Sequence, residues 1–197
     1  MLAAQCATLP IMVTQRHRFK CIVTALFLAV GFSLPVAAQQ TPLDELYQEL
    51  AEADEGTYVR IERQIIAQWE KSGSPAMDLL LRRGKDALED GAPDAAAEHF
   101  TALIDHAPEF AEGYYGRASS YYLLGLTGPA LDDIRRALTL NPRHFEAMRG
   151  LAIIMEELSR PDDALELYEM ILTMNPNSAE VLAAVDRLKL QQEGQSL

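Results

Sequence analysis

The sequence predicts an all-α solenoid of antiparallel helical hairpins, with a degenerate hairpin at one end and a capping helix at the other. Three prolines, Pro108, Pro142 and Pro176, stand 34 residues apart. The same spacing carries Gly91, Gly125 and Ser159; Ala96, Ala130 and Ala164; and Phe100, Ile134 and Tyr168. Small, aromatic and proline anchors at this period are what stacked helix–turn–helix units need, because each unit buries its apolar stripe only against its neighbours.

Ahead of the repeats the chain reads as an address. Arg16, Arg18 and Lys20 precede an almost wholly apolar stretch from Cys21 to Leu34, then Pro35 and small residues up to Ala38. Basic, apolar, helix-breaking, then small is the order of a secretory signal peptide, so residues 1–38 are assigned to one, cleaved after Ala38. The expected location is a bacterial periplasm; the alternative is an inner-membrane anchor formed by an uncleaved signal. The start is open between Met1 and Met12, of which Met12 gives the shorter basic leader.

Residues 39–76 form the N-terminal hairpin. Leu43, Leu46, Tyr47 and Leu50 recur at helical spacing, and after a break at Glu55-Gly56-Thr57 so do Tyr58, Ile61, Ile65, Ile66 and Trp69. The sites where the later units carry small residues hold Leu50 and Glu62 here, so the hairpin is read as a capping unit stacked before the first repeat. Residues 77–110, 111–144 and 145–178 are the regular units. Pro93 and Pro161 open second helices, where a missing N–H costs nothing, and Gly91 and Gly125 end first helices. Residues 179–190 form the capping helix, with Val181, Leu182, Val185 and Leu188 as its buried stripe. Residues 191–197 are expected to be a disordered tail.

Composition narrows the function. The formal charge is −12, from 17 Lys+Arg against 29 Asp+Glu. Without Arg16, Arg18 and Lys20, 14 basic residues face 29 acidic ones, a net −15. Such a chain repels phosphate backbones and anionic lipid, which argues against nucleic-acid binding and leaves membrane contact to an uncleaved signal. Both cysteines, Cys6 and Cys21, lie in the signal segment, so the mature chain has no thiol chemistry.

The anchors resemble the tetratricopeptide repeat family. Its small residues are matched by Gly84, Ala118 and Ala152 on first helices and by Ala96, Ala130 and Ala164 on second helices; Leu80, Tyr114 and Met148 match its large ones. Two sites depart from it: Arg83 and Arg117 stand where the family has leucine, and are read as packed stems with the guanidinium in water or against a neighbouring acid. The resemblance implies that first helices line a concave, ligand-binding face. Carried over, that face holds Asp78, Leu81, Lys85 and Glu89; Glu112, Tyr115, Ser119 and Tyr122; and Glu146, Arg149, Ile153 and Glu156. Tyrosine and arginine anchor protein interfaces, so a protein or peptide partner is expected on Tyr115, Tyr122, Arg149, Lys85, Ser119, Glu112, Glu146 and Ile153. One family subtype grips chaperone-tail carboxylates with basic residues; at those sites stand Leu81, Lys85, Gly116, Glu146 and Gly150, which argues against it.

No phosphate loop, nucleophile elbow or zinc spacing is present. His99, His106 and His144 are read as structural, His106 and His144 lying near helix C-termini. No catalytic residue, metal or cofactor is expected. The reading is a non-catalytic protein-interaction scaffold of the cell envelope. The alternatives are a constitutive accessory subunit or assembly factor, bound through the convex side or around Tyr58 and Trp69, and a hydrolase or metal enzyme.

Overall fold

The structure is a computed structural model that describes residues 41–195. The signal segment assigned to 1–38 lies outside the described residues. Within 41–195 there are nine helices and no strand. They are α1 (Pro42–Glu52), α2 (Tyr58–Trp69), α3 (Pro75–Glu89), α4 (Pro93–His106), α5 (Ala111–Leu123), α6 (Thr127–Leu140), α7 (Phe145–Glu157), α8 (Pro161–Met174) and α9 (Ala179–Gln195).

Local chemistry fixes the ends. Thr41 Oγ1 accepts from the Asp44 N–H and the Asp44 carboxylate accepts from the Thr41 N–H, a reciprocal cap opening α1. Asp54 Oδ1 accepts from the Gly56 N–H and the Thr57 hydroxyl, closing the turn into α2. Each first helix of the three regular units ends alike: Ala92, Leu126 and Arg160 donate backbone N–H bonds to Ala87, Tyr121 and Met155. The residue just before each donor is left-handed: Gly91 at φ 71°, Gly125 at 73°, and Ser159 at 57°. Ser159 keeps this C-terminal motif at the steric cost that glycine avoids.

Close helix approach rests on missing side chains. Phe100 is fully buried, wedged between Gly84 of its own unit and Gly116 of the next. A Cβ at Gly84 would come within 2.6 Å of the ring, and one at Gly116 within 2.4 Å. One unit later the smaller Ile134 takes the place of Phe100, and a Cβ at Gly150 would meet its Cδ1 at a comfortable 3.9 Å. Of the two readings of Arg117, the structure shows the guanidinium against a neighbouring acid. Its guanidinium bonds Asp133 through Nε (2.7 Å) and Nη2 (2.9 Å), reaches Thr101 Oγ1 at 3.3 Å, and lies near the Tyr114 and Tyr121 rings. It ties α5 to α6 and to α4 by a bidentate, half-buried pair.

Three expectations are corrected. The hairpin α1–α2 does not stack in front of α3: its buried Tyr47, Leu50, Ile61, Ile65 and Trp69 join the core of the later units and α9, and α1 packs against α8. The core of the first unit, Leu81, Ala96, Phe100 and Leu103, is a separate cluster. The cause is legible at the two atypical sites. Leu50 is too bulky for a close crossing, and Glu62 turns instead to Asn175 Nδ2 at 3.0 Å. In α9, Val181, Val185 and Leu188 are buried but Leu182 is 38% exposed, about a quarter-turn off that stripe. The helix also continues past Leu190 to Gln195, helped by the good helix formers Gln191, Gln192 and Glu193, and Gln192 Nε2 donates to Asp162 Oδ1 at 2.7 Å.

Gly116→Ala is expected to lower stability by about 1–3 kcal/mol, because a rigid, fully enclosed ring has to move. Gly150→Ala is expected to leave stability unchanged or raise it by up to about 1 kcal/mol through helix propensity. Denaturant midpoints of the two variants check the contrast, and equal losses would contradict it.

Candidate functional site

First helices α3, α5 and α7 and the capping helix α9 succeed one another along the stack, and α2 contacts α3, α7 and α9. Near α9, the Tyr58 hydroxyl accepts from the Ala179 N–H at 3.4 Å. Glu62 then sits between Asn175 and Arg149, with Arg149 Nη2 at 3.9 Å. The Trp69 ring lies 4.6 Å from His144 and 4.7 Å from Phe145. Glu70 pairs with Lys85 of α3. α1 secures the other side: the Tyr47 hydroxyl donates to the Arg143 carbonyl at 3.1 Å, Arg143 covers the Tyr47 ring and pairs with Asp44, and Asn177 Nδ2 donates to the Ala53 carbonyl.

His144 is the pivot of this arrangement. It is fully buried at the N-terminus of α7, not near a helix C-terminus as its sequence position suggested. Its Nδ1 accepts from the Ala147 N–H at 3.2 Å, which leaves the ring proton on Nε2. Nε2 lies 3.1 Å from Glu112 Oε1, though poorly aligned for a hydrogen bond. The Tyr115 ring packs on its other side at 4.7 Å.

The expected partner residues therefore divide into two groups. Glu112 is 5% exposed and faces His144. Tyr115 is largely enclosed, and burial pushes its phenol well above the ordinary range. Arg149 is held by Glu62 and Glu180, and Lys85 by Glu70. Burial pushes the Glu146 carboxyl upward, and the negative charge of Glu112 adds to that. Lys85, Glu112, Tyr115 and Glu146 line a cleft of about 240 Å³ beside Ile66 of α2, where Lys85 keeps a 45% exposed side chain.

Ser119, Tyr122 and Ile153 remain open. With Leu123 and Gly150 they line a pocket of about 230 Å³ between α5 and α7, floored by Ala118, Ile134 and Ile154. That is smaller than the roughly 300–1,000 Å³ of small-molecule sites and suits a side chain. Leu123, 61% exposed, was missed from the sequence, where it reads as a helix-end residue. Among the described residues, no group of three or more His, Cys, Asp or Glu could hold a metal ion. No described helix is long and apolar enough to cross a membrane.

Glu146 supplies a pH test. Its folded pKa is raised, so its contribution to stability is full below the ordinary carboxylate range and is lost as pH rises through the folded value. Glu146→Gln is expected to raise the melting temperature at neutral pH, with the gain vanishing on acidification; a lower melting temperature at pH 7 would contradict the burial argument.

Known proteins bear on this architecture. A family model described as tetratricopeptide repeat matches residues 81–132 and 125–179, which together span half of the chain. A TPR repeat-containing protein of Rhizobium etli is 30% identical over 135 residues, 68% of this chain and 66% of that protein. Hsp70-Hsp90 organizing protein 2 of Arabidopsis thaliana is 27% identical over 105 residues, 53% of this chain. The chain spans about two thirds of the first relative and only 18% of the second. Among solved structures, the first TPR of Spaghetti, bound to an HSP90 peptide, superposes with a TM-score of 0.56 at 23% identity, covering 59% of this chain and 93% of that one. By the matched repeats and by the stacked hairpins that carry them, the chain belongs to the tetratricopeptide repeat family.

Proposed function

We propose that the chain is a non-catalytic protein-interaction scaffold, and that its partner lies on the half of the first-helix face that α2 leaves open. The observation that carries this reading is the pocket between α5 and α7, where Tyr122, Leu123 and Ile153 stand exposed or half-exposed around an apolar floor. An apolar centre with an aromatic wall is what protein interfaces use for their anchors. The peptide held by the Spaghetti repeat supports a peptide or protein as the class of partner. A chaperone-tail carboxylate is disfavoured here, since Lys85 is already paired with Glu70 and Glu146 stands on the same face.

The location that fits the N-terminal residues is the bacterial cell envelope, with 1–38 removed or kept as an inner-membrane anchor. A constitutive subunit docked through the hairpin is less well supported. Trp69 is 8% exposed and stacked inside the molecule, and the Tyr58 hydroxyl is bonded to α9.

The test is affinity capture from the native envelope, using the chain from Gln39 as bait and a Tyr122→Ala/Ile153→Ala variant of unchanged helicity and melting as control. A partner retained by the parent chain and lost by the variant is expected. Equal retention by both would place the interaction elsewhere and contradict the reading.

A further inference from the structure

The open half of the face carries a chemistry of its own. Leu123, Leu124 and Leu126 at the α5–α6 turn are 61%, 41% and 45% exposed, Leu158 at the α7–α8 turn is 47% exposed, and Ile153 is 38% exposed. The register of Leu123 and Leu124 holds Glu89 and Asp90 in the first unit, so the apolar character belongs to the second and third units alone. Beside this strip, Glu156, Glu157 and Glu180 line the cleft between α7 and α9, with Arg187 as its one cation. Arg187 is bound to Glu156 through two nitrogens, at 2.6 and 3.0 Å. Arg149 and Lys85 are likewise held by the chain's own carboxylates. The face therefore offers leucine and isoleucine beside a net negative charge, since Glu180 shares Arg149 with Glu62 and Glu157 is met by the Tyr122 hydroxyl.

Its hydroxyl groups are also committed. Ser119 Oγ donates to the Tyr115 carbonyl, and the Tyr122 hydroxyl donates to Glu157. An extended segment laid in the pocket would find the Ser119 and Tyr122 hydroxyl hydrogens already given away, whereas a helix satisfies its own backbone. The molecule already holds a helix on the neighbouring half: α2 docks through Ile61, Ile65 and Trp69, spaced four residues apart.

Resting on the scaffold reading above, we infer that the occupant is an amphipathic helix of a partner protein, lying beside α2 with an apolar stripe flanked by lysine or arginine. The stripe fills the pocket over Ile134 and covers the exposed leucines, and the basic flank faces Glu157 and Glu180.

The test uses a labelled synthetic helical peptide with a leucine stripe flanked by lysines, titrated with the chain from Gln39 and read by fluorescence anisotropy. One control replaces the lysines with glutamates; another scatters the leucines so that no stripe forms. Both controls are expected to bind at least about tenfold more weakly. Ile153→Asp, at an exposed position, is expected to cost about tenfold or more, and Glu157→Lys to weaken the lysine peptide while strengthening the glutamate one. Circular dichroism confirms that each variant folds. Equal binding of the lysine and glutamate peptides, or of the striped and scattered ones, overturns the inference. If a glutamate or scattered peptide binds as tightly and Ile153→Asp abolishes that binding, the basic helix is wrong and the groove stands. Binding that is indifferent to Ile153→Asp removes both.

Discussion

Trp69 stacked on His144 and Phe145 is the contact on which the rest of the arrangement depends. The hairpin that carries it has helices of 11 and 12 residues, lengths at which an isolated helix is marginal in water. Its order comes from docking. His144 meets it with a ring already fixed, because Nδ1 caps α7 and the opposite face is covered by Tyr115. Around this aromatic cluster the polar contacts of Glu62, Glu70 and Tyr58 set the register of α2 along the face. Because α2 lies there, Arg149 and Lys85 are paired with the hairpin's carboxylates, and the apolar pocket lined by Tyr122, Leu123 and Ile153 lies toward the C-terminal ends of α5 and α7.

The hairpin also changes how the solenoid coheres. Contacts between successive units are local, and Phe100 between Gly84 and Gly116 is the tightest of them. Such a stack is held together one neighbour at a time. The hairpin adds contacts of far greater sequence separation, Tyr47 to Arg143 and Asn177 to Ala53 among them. It fastens the second unit, the third unit and α9 into one core, while the first unit keeps its own cluster.

Much of this was legible in the chain because the determinants are local. The spacing of prolines, glycines and alanines gives the units, and turn chemistry at Gly91 and Gly125 gives their ends. The placement of the hairpin was not legible. The stripe of Ile61, Ile65 and Trp69 says that α2 buries one face, but not against what. Leu50 and Glu62 at small-residue sites mark the hairpin as atypical, but not what it packs against. For the same reason the sequence does not carry the pairing of Lys85 with Glu70 and of Arg149 with Glu62. Tyr115 and Arg149 look like interface anchors in sequence, and α2 is the segment beside them in this molecule. Arg117 shows the limit from the other side, since its partner Asp133 is 16 residues away and meets it only through the helix crossing.

Trp69 is the one tryptophan in the chain, so it reports on its own docking. The most direct measurement is the emission spectrum of the native protein and its quenching by acrylamide, followed through a denaturant titration alongside helicity. A docked hairpin gives blue-shifted emission protected from quencher, lost in the same transition as the solenoid helices. Red-shifted, freely quenched emission under native conditions would contradict the account, because the face beneath α2 would then be open.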